Sequence, residues 1–389
     1  MPVRPVANPN PKAALLASPT ITAAERRDWV RLIRSENVGP ITFYQLLRRF
    51  GSASKAIDAL PQLARRGGKN ASLKICTAVE AEDEIAAHVK AGVKLLLSAD
   101  AEYPQRLAQL DDAPPVLSVR GFTHLLNKPA VAIVGTRNAS AAGRKLTEKI
   151  AQDLGVGGYV VTSGLARGID TSAHQAALAA GTIAVMAGGV DHIYPPENQA
   201  LYDAIIASGA AISEIPLGTE PQARHFPRRN RLISGVSMGV LVVEAALKSG
   251  SLITANYALE QNREVFAIPG SPMDPRCQGT NSLIKQGAHL VESAADIIAE
   301  LRQQQLPGVQ SKKSDTFHLA LAEVEGLDQQ IAQASPKILE LLSATPMPVD
   351  ELVEMSGYSV PVVLNVLLEL ELAGRLLRFS GNKVALFFH

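Results

Sequence analysis

Between Ala130 and Val291 short apolar runs alternate with helical patterns of about ten to fifteen residues, and few folds accommodate that alternation. The expected strands are Ala130 to Val134, Tyr159 to Thr162, Thr182 to Met186, Ala210 to Ser213, Gly239 to Glu244, Glu264 to Ile268 and His289 to Val291. The expected helices are Ala141 to Leu154, Ile169 to Ala180, Gln199 to Ser208 and Leu252 to Gln261. A strand without polar alternation is buried on both faces, so the sheet is parallel and has helices on each side. The fold class is therefore α/β, a Rossmann-like doubly wound, mostly parallel sheet. Such sheets take ligands beyond the carboxyl ends of their strands, so the strand-to-loop junctions are where chemistry belongs.

A chain of 389 residues is too long for this sheet alone and calls for two or three domains. From Ala23 to Lys90 the apolar spacing is helical, with two helices around Val38-Gly39-Pro40 and a second pair behind them. This predicts a helical module of SAM or helix-hairpin-helix type over 21–110, which either offers backbone N–H groups to a phosphate or only packs. The α/β domain occupies 111–302. The aperiodic stretch with QQQLPGVQSKKS marks a linker over 303–330, and residues 1–20 read as a disordered tail. Three helical segments and a hairpin turned at Gly-Asn outline a winged helix over 331–389. That last region has six acids against four bases, and its third helix, Val360 to Leu372, carries Glu369 and Glu371 with no Lys or Arg. A duplex reader places cations there, so this domain is expected to contact protein or to regulate.

Overall charge excludes little: 38 Lys and Arg against 37 Asp and Glu leave +1, so any polyanion site must come from local clustering. The two cysteines, Cys76 and Cys277, have no C-x-x-C spacing, which argues against a disulfide framework and a Cys-based zinc site and fits a reducing compartment. The eight histidines show no H-x-x-x-H or H-E-x-x-H run, so neither metal nor cofactor is expected. No segment approaches the ~18 apolar residues of a membrane span or the make-up of a signal peptide, and a cytoplasmic protein is expected. G-x-G-x-x-G and the P-loop pattern are absent, and Val161 breaks a G-x-S-x-G elbow around Ser163.

The first parallel strand ends in Gly135-Thr136-Arg137-Asn138, a Gly turn that enters a helix and suits an anion. The second ends in Ser163-Gly164-Leu165-Ala166-Arg167-Gly168, where small residues let backbone N–H groups approach an oxygen-rich ligand and Arg167 adds a fork for phosphate. Asp170 follows as a candidate helix cap. Tyr194, after Gly188-Gly189, either stacks on a base or packs under its loop against Pro195. Glu214 either accepts from a base edge or orients an Arg. The segment Arg224 to Arg231 holds four Arg in eight residues and no acid, with Phe226 and Pro227 embedded, which favours polyanion contact over a solvated charged face. Ser249 to Thr254, with Ser251 and Thr254, is a further small-residue turn opening a helix. Loops from separate strands thus bring Arg137, Arg167, Arg228 and Arg231 to one rim.

Together the strings AIVGTRNAS, VTSGLARGIDTSAH, FPRRNRLISG, VVEAALKSGSLITANYA and GTNSLIKQGA make the sequence resemble the DNA processing protein A (Smf) family, recombination mediators of natural transformation. The resemblance implies single-stranded DNA binding in a basic crevice, protection of incoming DNA, homodimerisation through the Rossmann-like domain and loading of a RecA-type recombinase. It places DNA contacts at Gly135, Thr136 and Arg137, at Ser163, Gly164, Arg167 and Gly168, and at the Arg229-Asn230-Arg231 string. One departure stands out: after Tyr194, where family members often carry a basic residue, this chain has Pro196-Glu197. No catalytic residue is expected. The competing class is a nucleotide-hydrolysing enzyme of phosphoribohydrolase type using Glu244 or Asp170, although its P-G-G-x-G-T-x-x-E signature fails at Val190-Asp191. A sensor of small nucleotides is the third reading.

Overall fold

The computed structural model describes residues 21–304, 326–379 and 381–387, so the expected tail and most of the expected linker lie outside the described residues. The chain divides into two compact units, one holding the α/β sheet and one holding the helical module with the C-terminal domain.

The α/β unit is built on nine strands: β1 (Lys94–Leu97), β2 (Val116–Gly121), β3 (Ala130–Val134), β4 (Val160–Ser163), β5 (Thr182–Val185), β6 (Ala210–Ser213), β7 (Gly239–Val242), β8 (Glu264–Ala267) and β9 (His289–Leu290). Their order is β1-β2-β6-β5-β4-β3-β7-β8-β9. From β6 through to β9 the pairings are all parallel, while β1 and β2 pair antiparallel at one edge. The seven expected strands are all present, and the doubly wound reading holds. Residue alternation along β3 explains the two covered faces. Ala132 and Val134 enter a core with Leu232, Ile233, Ala255 and Ala258, and Val131 and Ile133 enter another with Ile150, Leu154, Ala173 and Ile297. The first layer is supplied by α9 (His225–Gly235) and α10 (Gly250–Glu260), the second by α6 (Ala141–Val156), α7 (Ile169–Ala177) and α12 (Ala294–Gln304). The strands diverge on either side of β3, so the turn after β3 sits where strand order reverses.

Two expectations change. Lys94–Leu97, inside the stretch read as helical, is β1, a four-residue run that can only bury its apolar side chains by pairing with β2. The Arg-rich stretch is not an open loop: His225–Gly235 is helical, because Pro227 lies in the first turn where its missing N–H costs nothing.

In the second unit, α1 (Ala23–Arg34) begins with a capping box between Thr22 and Glu25, and Gly39-Pro40 starts α2 (Pro40–Phe50), followed by α3 (Ala53–Arg66). The C-terminal part contains α13 (Leu327–Leu341), α14 (Val349–Ser356) and α15 (Val360–Leu372) with the small sheet β10 (Met347–Pro348), β12 (Lys383–Leu386) and β11 (Leu376–Phe379), a winged helix. No single helix among the described residues is long and apolar enough to cross a membrane.

Candidate nucleic-acid interface

Two turns at the carboxyl ends of β3 and β4 are locked together by their main chains. Thr136 donates its N–H to the Glu244 carbonyl at 2.7 Å, and its own carbonyl accepts from Ile169 at 3.3 Å. Gly168 has φ +76°, and a Cβ there would lie 2.4 Å from the Thr136 oxygen, so only glycine permits this approach. The Ser163 hydroxyl is fully buried and donates to the Ile133 carbonyl at 2.6 Å, tying β4 to β3. Asp170, buried, accepts from the N–H groups of Gly164 and Ala166 at 3.1 and 3.3 Å. Beneath the same turn Arg229 donates to the carbonyls of Gly164, at 2.6 Å, and Val185. Burial pushes Asp170 above the usual carboxylate range against the pull of Arg229, and pushes Arg229 down to about 10 despite Asp170. His174, also buried, is driven down to about 3 by desolvation and then by Arg229, so it stays neutral. The turn is thus clamped from below by hydrogen-bonding side chains that solvent does not reach.

Above this clamp lies a groove of about 370 Å³ lined by Arg137, Asn138, Gly164, Ala166, Arg167, Tyr194, Pro195 and Phe226. Arg137 and Arg167 are exposed. The Arg137 guanidinium sits 5.7 Å from the Phe226 ring centroid, and Tyr194 meets the same ring edge-on at 5.5 Å and 63°. Tyr194 is 46 % exposed, so it is not packed away beneath Pro195 and has an open surface for a planar ligand. Arg167 is paired with Glu197, and both side chains are well exposed. Such a pair is easily displaced. Guanidinium forks for phosphate beside aromatic rings for bases are what a single strand requires.

The helix α9 divides its arginines by face. Arg224 and Arg228 point to solvent, while Arg229 and Arg231 are buried. Arg231 pairs with the buried Glu214, lies 3.6 Å from Asp112 and donates to the Asp112 carbonyl at 2.7 Å. Burial opposes its charge, but Glu214 and Asp112 more than restore it and leave its pKa above the ordinary value. Arg228 reaches the same Glu214 at 3.0 Å from the solvent side. The first turn of α9 holds no acid, and burial followed by Arg224 and Arg228 lowers the pKa of His225. Cations at the positive end of a helix dipole repel it, and a bound anion would relieve that repulsion.

The sequence-predicted residues therefore separate into groups. Arg137, Gly164, Arg167 and Tyr194 line the groove. Gly135, Thr136, Gly168 and Ser163 shape its turns. Glu214 and Arg231 form a buried pair, which fixes α9 rather than facing solvent, and Arg228 is shared between Glu214 and the surface. Asn230 donates to the Gly250 carbonyl at 3.2 Å; Ser251 and Thr254 are buried in the same turn region. Sequence reasoning left out Phe226 and Asn138, both groove-lining, although Phe226 stood out as the aromatic within the arginine run. The two carboxylates weighed for catalysis are occupied: Asp170 holds the β4 turn, and Glu244 accepts the Ser140 N–H at 3.0 Å and the Ser140 hydroxyl. Among the described residues no three His, Cys, Asp or Glu side chains gather as a metal site.

Comparison with known proteins gives this geometry its context. Residues 94–302 match the family model described as DNA recombination-mediator protein A, residues 23–87 match a DprA-like N-terminal HHH domain, and residues 326–382 match a DprA winged helix domain. The Escherichia coli protein Smf is 43 % identical over 296 residues, covering 75 % of this chain and 77 % of that one. The Bacillus subtilis DNA processing protein DprA is 46 % identical over 57 % of this chain and 75 % of its own. The X-ray structure of DNA processing protein A from Streptococcus pneumoniae superposes with a TM-score of 0.58 at 36 % identity, covering 70 % of this chain and 95 % of that one. The Helicobacter pylori protein, whose structure concerns a single-stranded DNA binding mode, gives 0.50 at 31 % identity over 55 % and 96 %. The chain belongs to the DNA recombination-mediator protein A family.

Proposed function

We propose that this protein binds single-stranded DNA in the groove at the carboxyl ends of β3, β4 and β5, protects incoming strands and loads a RecA-type recombinase during transformation or recombination. The observation that carries this reading is the pairing of exposed Arg137 and Arg167 with Tyr194 and Phe226 around one groove. The Helicobacter pylori relative described by its single-stranded DNA binding mode supports it. Homodimerisation through the α/β sheet and the hand-over to a recombinase rest on family membership. We read the protein as a binder rather than an enzyme, because Asp170 and Glu244 are engaged in holding turns.

The test is a titration with oligothymidylates of increasing length beside duplex and mononucleotide competitors. Affinity that rises with length, falls with salt and resists duplex supports the proposal. Tight mononucleotide binding with negligible oligonucleotide affinity would favour a nucleotide sensor, and release of free base from nucleotides would favour an enzyme.

A further inference from the structure

The winged-helix domain poses a question that the groove does not answer. Its third helix, α15, is apolar nearly all round because it is buried nearly all round. Val362, Val363, Val366, Leu367 and Leu370 fill the core of their own domain. The stripe Asn365, Leu368, Glu369 and Leu372 is buried too, and three of its members meet the helical module. Arg49 on α2 donates to Asn365 Oδ1 at 2.7 Å, Asn37 donates to the Leu372 carbonyl at 3.0 Å, and Arg66 on α3 lies 3.7 Å from Glu369. A Cβ on Gly67 would fall 1.9 Å from the Glu369 carbonyl oxygen, so the two backbones touch. The helix that a winged helix would lay in a DNA groove is covered.

At the edge of this contact the two guanidiniums converge on one carboxylate: Arg49 Nη2 and Arg66 Nη1 stand 2.8 and 3.0 Å from Asp328 Oδ1. Two guanidiniums from successive helices around a single oxyanion is how a phosphodiester is held. Charge points the same way, since residues 23–83 carry eleven Lys and Arg against seven Asp and Glu, while residues 326–387 carry four against seven. Polar contacts between modules of one chain are the kind that open.

We propose that Arg49 and Arg66 form a second nucleic-acid backbone site, on the helical module, which the winged-helix domain covers with Asp328 seated where a phosphate would sit. The domain is then a competitor in cis: a strand gains this site only by displacing Asp328, and undocking frees the stripe of α15.

The experiment uses the full chain. Asp328 is 61 % exposed, so Asp328→Ala leaves the fold intact, with Trp29 fluorescence as the check on the helical module. The salt dependence of oligothymidylate binding is compared in wild type, Asp328→Ala, and Asp328→Ala with Arg49→Ala and Arg66→Ala. The expected result is a slope steeper by about 0.7 in Asp328→Ala, one phosphate held by the two guanidiniums, with the gain lost when both arginines are removed. Repeating the series with Arg137→Ala and Arg167→Ala keeps the gain, which separates this site from the groove. An unchanged slope in Asp328→Ala, a gain that survives loss of both arginines, or equal displacement by polyglutamate of matched charge would overturn the proposal.

Discussion

Arg229→Ala tests whether the buried clamp, rather than the exposed rim, keeps the groove in shape. Arg229 is 6 % exposed, and its guanidinium donates to the Gly164 and Val185 carbonyls near buried Asp170. Truncation leaves the Gly164 and Val185 carbonyls without this donor and Asp170 without the nearby positive charge, and at about 1–3 kcal/mol for each buried polar group stripped of its partner the loss is roughly 3–5 kcal/mol. At about 2–3 kcal/mol per molar urea, that lowers the unfolding midpoint of the α/β unit by on the order of 1.5 M. Far-UV circular dichroism follows the loss, and the single tryptophan, Trp29, lies in the other unit and serves as an internal reference. Hydrogen exchange at β4 and β5 should accelerate in step. If Arg229→Ala unfolds at the wild-type urea concentration and binds oligonucleotide normally, the clamp plays no structural part and the reasoning fails.

Other perturbations separate the remaining roles. Glu197→Gln releases Arg167 from its carboxylate and should raise oligonucleotide affinity by up to about fivefold at 0.1 M salt, the worth of one phosphate contact; lower affinity would show that Glu197 supports binding. Tyr194→Ala should cost about 1–3 kcal/mol of binding while Tyr194→Phe costs little, because the ring and not the hydroxyl carries the stacking; equal losses in both would point to the hydroxyl. Glu369 is raised to about 7 by burial, which outweighs Arg49 and Arg66, whereas hydrogen bonding from Arg66 lowers Asp328. A raised carboxyl stabilises the fold below its unfolded value near 4.5 and loses that contribution as pH climbs through 7, so Glu369→Gln should flatten the melting temperature between pH 4.5 and 7 and raise it at pH 8. A melting profile parallel to wild type across that window would contradict the assignment.

The parallel strands were legible because each is a solid apolar run, and nothing but a two-sided sheet buries such a run. The edge pair β1 and β2 was not, since runs of four and six residues beside polar turns carry no period that distinguishes them from the helices before them. The arginine run shows a different limit. Composition marked it for polyanion contact, but only the helical period of α9 sends Arg224 and Arg228 outward while Arg229 turns inward to the Gly164 and Val185 carbonyls and Arg231 to Glu214. Sequence proximity cannot separate a structural guanidinium from a solvent-facing one when both share a string. The acids on the third helix of the winged domain were readable; its contact with Arg49 and Arg66 was not, because those residues lie some three hundred positions away.

The most direct measurement is the salt dependence of oligothymidylate binding in Arg137→Ala/Arg167→Ala beside wild type, with melting curves to show both folded. Three solvent-facing guanidiniums, on Arg137, Arg167 and Arg228, give an expected wild-type slope near −2 at about 0.7 per phosphate, and the double variant should fall to roughly −0.7. Identical slopes in two equally stable proteins would mean that the strand binds elsewhere.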